Sequence, residues 1–201
     1  MSTLSDRERA IRQKLKDDFE HYASKCLRIR TKAGDVHPLM LNRSQRYLHE
    51  RLEAQLKAKG KVRALVLKGR QVGISTYIGG RFYWKITHKF GVRAFILTHL
   101  DTASDNLFGM AKRFHEGCPD LVRPETHRAN AKELSFARLD SGYKVATAGS
   151  AEVGRSETIQ LFHGSEVAFW PNAENHSAGI GQAIANSPDT EDIRESTANG
   201  I

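Results

Sequence analysis

The chain has 201 residues, 39% of them hydrophobic and 27% charged, the size and composition of one globular domain or one domain with a short appendage. No run of 18 apolar residues occurs, the N-terminus is charged throughout, and the two cysteines, Cys26 and Cys118, stand in no metal or redox spacing. Those features exclude a helical membrane span, a secretory signal and a disulfide scaffold, and point to a reducing, intracellular home. The net charge is +8, and residues 1–70 carry 18 Lys/Arg against 8 Asp/Glu while residues 71–201 carry 13 against 15. The excess positive charge therefore lies in the first third, where it either attracts a polyanion through counterion release or forms a solvated basic helix.

Ser5-Asp6-Arg7-Glu8 forms a capping box, and Leu4, Ile11, Leu15, Phe19, Tyr22 and Cys26 follow at helical spacing, predicting one helix over this stretch. A loop through Gly34 and Pro38 comes next. Asn42 caps a second helix with the stripe Leu48, Leu52, Leu56, which Gly60 ends. Val62–Leu67 is an apolar run of strand length, followed by a glycine-rich turn and a helix from Ser75 to about Lys89. Arg93–Thr98 reads as a second buried strand, and Asp101 or Thr102 opens a further helix that stops before Pro119. This alternation predicts a parallel α/β sheet. Glu133–Ala137 and Tyr143–Thr147 read as a hairpin turning at Asp140-Ser141-Gly142, Thr158–Phe162 as a third buried strand, and Ala178–Ala185 as a helix stopped by Pro188. The chain closes on the polar cluster Glu195-Ser196-Thr197-Ala198-Asn199-Gly200.

The strongest chemical signal is Lys68-Gly69-Arg70-Gln71-Val72-Gly73-Ile74-Ser75-Thr76, between a strand and a helix. Glycines let consecutive amides converge on phosphate oxygens, and the helix N-terminus adds its partial positive charge there. Ser75 stands where a P-loop hydroxyl binds Mg²⁺, with Thr76 beside it. The segment departs from GxxxxGK[ST]: one residue fewer separates the glycines, and Ile74 replaces the lysine. Such a fold also needs an acid at a neighbouring strand end. Thr158–Phe162 leads to Ser165-Glu166, so Glu166 is the candidate, and Ser165 stands where a second acid near Mg²⁺ would be expected. His163 and Glu166 alone are too few ligands for a metal centre.

The segments KGRQVGISTY, ILTHLDTASDNLF, GRSETIQLFHGSEVAFWPNAE and ESTANG, in that order over residues 40–200, resemble the large terminase subunits of tailed bacteriophages, their DNA-packaging motors. The resemblance implies an α/β fold of the P-loop NTPase (RecA/ASCE-like) type, a mostly parallel sheet flanked by helices with an N-terminal helical extension. It divides the chain into a basic extension, 1–41, and an ATPase domain, 42–201, with Walker-type motifs. It implies ATP and Mg²⁺ as cofactors, bound by Gly69, Arg70, Gln71, Val72, Gly73, Ile74, Ser75 and Thr76. Ser75 would be the Mg²⁺ ligand, and Ser165 would reach the ion through a water. Glu166 would be the catalytic carboxylate and Arg70 the phosphate-facing cation, with Ser196, Thr197 and Ala198 coupling hydrolysis to motion. Lys68 would be the substitute cation, or would only terminate the strand; it follows the strand directly and is expected to point away from the loop, on the premise that Leu67 points into the core's opposite face. Gln45 would read adenine, or would only complete a capping box with Asn42. Arg155 would face phosphate or DNA, or be a surface arginine.

The partners implied are double-stranded DNA, a portal protein and a small terminase subunit, with a homo-oligomeric ring, no membrane, and the cytoplasm of an infected bacterium as the location. The nuclease domain of such proteins is expected outside this chain, which reads as truncated at its C-terminus. A helicase-like nucleic-acid-dependent ATPase and a non-enzymatic DNA-binding module with a degenerate P-loop are the alternatives.

Overall fold

The strands from Val62 onward assemble into one main sheet, and helices cover both of its faces. The computed structural model describes residues 5–148, 158–171 and 173–199. In chain order the elements are α1 (Asp6–Asp17), α2 (Phe19–Cys26), β1 (Arg28–Arg30), β2 (Val36–Pro38), α3 (Arg43–Lys59), β3 (Val62–Leu67), α4 (Ile74–His88), β4 (Arg93–Thr98), α5 (Asp101–Glu116), β5 (Arg128–Ala129), β6 (Glu133–Phe136), β7 (Ser141–Thr147), β8 (Leu161–Ser165), α6 (Ala173–Ala183) and β9 (Glu191–Ser196). The main sheet runs β3-β9-β8-β4-β7-β6-β5. The five strands from β3 to β7 are mutually parallel, and β6 and β5 continue the sheet antiparallel.

Alternation along β4 divides the core. Ala94 and Ile96 join the cluster under α3, α4 and α5, while Phe95 and Leu97 join Ile159, Phe162, Trp170, Ile180 and Ile184 on the α6 face. That is the period-2 pattern of a strand covered on both sides. Helix α4 is buried nearly all round: Tyr77, Ile78, Phe82, Tyr83 and Ile86 are each 0% exposed, and each such burial stabilises the fold by about 1.5–3 kcal/mol. The N-terminal extension shares this core, for Phe19 packs on Tyr77 and Trp84, and Trp84 Nε1 donates to the Leu15 carbonyl at 2.9 Å.

Several expectations are corrected. The first helix is two helices, because the Asp18 side chain accepts from the His21 amide at 2.8 Å and caps α2 while its backbone is extended. A carboxylate that bonds the backbone locally competes with helix continuation. Residues 28–38 form the hairpin β1–β2 rather than a loop. The β6–β7 connection turns at 137–140, with Asp140 in the left-handed region at φ 45°. The third buried strand lies three residues later than expected, at Leu161–Ser165, and Ile159 makes only an isolated bridge to Ile184. Helix α6 begins earlier, at Ala173.

The largest departure is β9. Its sequence, Glu-Asp-Ile-Arg-Glu-Ser, has one apolar residue, yet it lies between β3 and β8. Its fully buried first acid, Glu191, is balanced from α4. Arg81, 0% exposed, grips Glu191 through Nε and Nη2 at 2.9 and 2.8 Å and reaches Glu53 through Nη1 at 2.5 Å, while Lys85 Nζ lies 2.5 Å from Glu191. Burial alone would push the Glu191 carboxyl up, but these two cations hold it down at about 2.

Candidate functional site

In a parallel sheet all strands end at one edge, and loops there converge. The ends of β3, β8 and β9 are adjacent, and the 68–76 loop, Glu166 and residues 196–197 surround a cleft of about 330 Å³ whose lining includes Lys68, Arg70, Gln71, Glu166 and Thr197.

The loop is held from α3. The Asn42–Gln45 capping box forms, with Gln45 N donating to Asn42 Oδ1 at 3.0 Å and Asn42 N to Gln45 Oε1 at 2.9 Å. The remaining groups of both side chains turn to the loop: Asn42 Nδ2 donates to the Val72 carbonyl at 3.1 Å and Gln45 Nε2 to the Gly73 carbonyl at 2.7 Å. Gln45 is 4% exposed, so both ends of the amide proposed to read adenine are turned to the backbone. Gly73 caps α4 at φ 78°, and a Cβ there would lie 2.7 Å from Gln45 Nε2. Gln71 also takes a positive φ, 63°, and its side-chain oxygen accepts from Lys32 Nζ. Ile74 is buried as the first residue of α4, Thr76 is half-buried, and Gly69 is exposed. The first amides of α4 thus face the loop without helical partners.

Arg70 is exposed and makes no hydrogen bond or ion pair among the described residues. Lys68 behaves otherwise. Leu65 and Leu67 are 78% and 79% exposed, so the premise that Leu67 faces the core is wrong, and alternation turns Lys68 inward. Its Nζ lies 2.7 Å from Glu166 Oε1 and 3.1 Å from Glu195 Oε2. Burial pulls the Lys68 pKa down, but the two carboxylates outweigh it and the net shift is upward.

Glu166 sits immediately beyond β8 with φ 53°, a conformation uncommon outside glycine that turns its side chain across the sheet edge. Its Oε2 accepts from the Thr197 amide and the Thr197 hydroxyl, both at 3.0 Å, and from Ser196 Oγ at 3.4 Å. Burial raises its pKa, yet Lys68 and the Thr197 amide bring it below the ordinary carboxylate range. The structure therefore gathers Glu166, Ser196 and Thr197 at one point, whereas Ala198 is exposed. Gly164 admits the close turn: a Cβ there would lie 2.9 Å from Val167 Cγ1 and 3.2 Å from the Trp170 ring.

Behind the cleft are two groups the sequence analysis assigned no role, Glu195 and His163. Glu195 Oε1 accepts from Ser75 Oγ at 2.7 Å and Ser165 Oγ at 3.0 Å, and His163 Nε2 lies 3.3 Å away. Burial would raise the Glu195 pKa, but His163, Ser75 and Lys68 hold it at about 2. The signal for Glu195 in the sequence was only its place beside Ser196 and Thr197. No group of three His, Cys, Asp or Glu residues able to hold a metal occurs among the described residues. The oxygen donors Ser75, Ser165 and Glu195 suit a hard ion such as Mg²⁺, which uses one or two carboxylates plus substrate phosphates. Arg155 lies outside the described residues.

No protein-family model and no curated protein sequence matches the chain. Solved structures do. The large terminase of bacteriophage HK97 superposes with a TM-score of 0.71 at 13% identity, covering 90% of this chain. The large terminase ATPase domain of Thermus phage P74-26 gives 0.52 at 18% identity over 70% of this chain, and an arginine-to-alanine variant of that domain gives 0.58 at 16% over 80%. This chain spans 37% of the HK97 protein, and 60% and 66% of the two P74-26 chains. It has the P-loop NTPase fold of these terminase domains, and no helix among the described residues is long and apolar enough to cross a membrane.

Proposed function

We propose that the chain is the ATPase motor of a phage large terminase, hydrolysing Mg·ATP to drive double-stranded DNA into a capsid. The observation that carries this reading is Glu166, placed between Lys68 of the glycine loop and the hydroxyls of Ser196 and Thr197. That is a carboxylate bonded at once to a phosphate-facing loop and to the strand that follows it.

The loop amides from Gly69 to Ser75 and the N-terminus of α4 receive the β- and γ-phosphates. Lys68, already inside the cleft, is the cation placed to leave Glu166 for an incoming phosphate oxygen. Arg70 reaches the same phosphates from the rim. Ser75 would hold Mg²⁺, which when bound neutralises phosphate charge. Glu166, freed of Lys68, orients the attacking water in line with the γ-phosphate and accepts its proton. Thr197 and Ser196, bonded to Glu166 at rest, register that change and pass it to β9. Gln45 acts on the nucleotide through the Gly73 carbonyl rather than through the base. DNA, a portal protein, a small terminase subunit and a ring of copies are the partners of this reading, with the basic first third facing DNA.

Glu166→Gln tests it. The variant retains ATP binding and loses turnover by on the order of 100-fold or more, because the amide keeps the shape but not the basicity. Unchanged turnover would remove Glu166 from the mechanism. Duplex DNA affinity should fall linearly in log–log form with salt; Arg46 is held by Glu20 at 2.6 Å, so Arg43 and Arg51 are the better substitutions, and salt-independent binding would exclude this surface.

A further inference from the structure

P-loop NTPases hold Mg²⁺ between the loop hydroxyl and an acid on the neighbouring strand. At the end of β8 that place is filled by Ser165, which brings no charge. The parallel register pairs Ser165 with Glu195 on β9. The Glu195 side chain is 0% exposed, and its Oε1 accepts from both Ser75 Oγ, at 2.7 Å, and Ser165 Oγ, at 3.0 Å. Its other oxygen meets Lys68 Nζ at 3.1 Å without a well-directed hydrogen bond.

We propose that Glu195 is the metal-site acid of this ATPase, transposed from β8 to the same level of the adjacent strand. The assignment rests on the ATPase reading above and deepens it. Three observations converge. A carboxylate absent from its usual strand is found one strand over, at the paired position. It touches the very hydroxyl, Ser75, that the loop offers to the ion. And the serine in the acid's place donates to it, so Ser165 supports the substitute. A hydroxyl that gives its proton to a buried carboxylate presents a more electron-rich oxygen to a cation, the way outer partners tune metal ligands. Glu195 also balances Lys68 and His163, and a purely structural role would end there.

Metal dependence of nucleotide binding separates the two roles. A fluorescent ATP analogue is titrated into the full chain with excess Mg²⁺ and with EDTA, and Mn²⁺ uptake in the presence of ATP is followed by electron paramagnetic resonance. The wild type binds the analogue at least about tenfold more tightly with Mg²⁺, the scale of a 1.4 kcal/mol contact. Glu195→Gln collapses that ratio towards one and abolishes Mn²⁺ uptake while the affinity in EDTA is kept. The double variant Ser165→Asp/Glu195→Ser, which returns one acid to the cluster on β8, restores both; it also decides the matter should Glu195→Gln fail to fold. A Glu195→Gln protein that keeps the Mg²⁺ ratio, or a folded double variant with intact EDTA affinity and no Mg²⁺ gain, overturns the assignment and leaves the ATPase reading standing. A wild type that binds no nucleotide in either buffer overturns both.

Discussion

Lys68→Met removes the cation that touches both carboxylates of the cleft. Its Nζ lies 2.7 Å from Glu166 Oε1 and 3.1 Å from Glu195 Oε2, so those oxygens are no more than about 6 Å apart. With side chains 21% and 0% exposed, the two charges feel an effective dielectric nearer 20 than 80, and repel by about 3 kcal/mol once Lys68 is gone. Glu195 keeps Ser75, Ser165 and His163, so the proton that relieves the repulsion goes to Glu166. In the wild type Glu166 titrates below its unfolded value, and its contribution to stability is present above that value and lost as pH falls. In the variant it titrates above its unfolded value, and its contribution is complete at low pH and lost as pH rises. Thermal melts of the two proteins should therefore diverge from pH 5 to pH 8. The widening is up to about 3 kcal/mol, or roughly 6–12 °C for a chain of this length. ATP turnover falls by about 10²–10³, the effect of losing one charged donor to the transition state, and Arg70→Ala costs less. Melts that stay parallel across this range would show that Lys68 does not control the pair, and turnover at the wild-type rate would exclude it as the phosphate cation.

Two further outcomes follow from the packing. Glu191→Leu strands Arg81 and Lys85, at 0% and 4% exposure, and among the described residues leaves the half-exposed Glu53, on Arg81, as their remaining carboxylate. Breaking a buried pair in this way costs about 3–5 kcal/mol, a fall of roughly 6–20 °C in a melt; Arg81→Met is milder because Lys85 stays on Glu191, and a fall of under about 2 °C for Glu191→Leu would refute the buried network. Gly73→Ala forces a side chain into φ 78° and to 2.7 Å from Gln45 Nε2, costing about 1–2 kcal/mol for the backbone alone. Nucleotide affinity should drop with stability, and no change in either would mean that the Gln45–Gly73 contact does not hold the loop.

The sequence by itself determined the elements whose causes are local. Asn42 and Gly60 bracket α3 as a capping box and a left-handed C-cap at φ 69°; the apolar runs of β3 and β4 and the period of α4 and α5 placed those elements to within a residue or two. The glycine loop, Glu166, Ser196 and Thr197, on which the proposed function rests, could be singled out from residue type and spacing alone. The tertiary structure decided which polar groups are buried, and with that the identity of the inner strand β9 and the direction of Lys68. Hydropathy gives Glu191–Ser196 no strand signal, because its two fully buried acids, Glu191 and Glu195, find their cations and donors far away in the sequence. Their partners are 110 residues away for Arg81–Glu191 and 120 for Ser75–Glu195, and Lys68 meets Glu166 across 98. A buried charge is tolerable only with its counter-charge in place, and that condition is written in the pairing of α4 with the sheet rather than in any one segment.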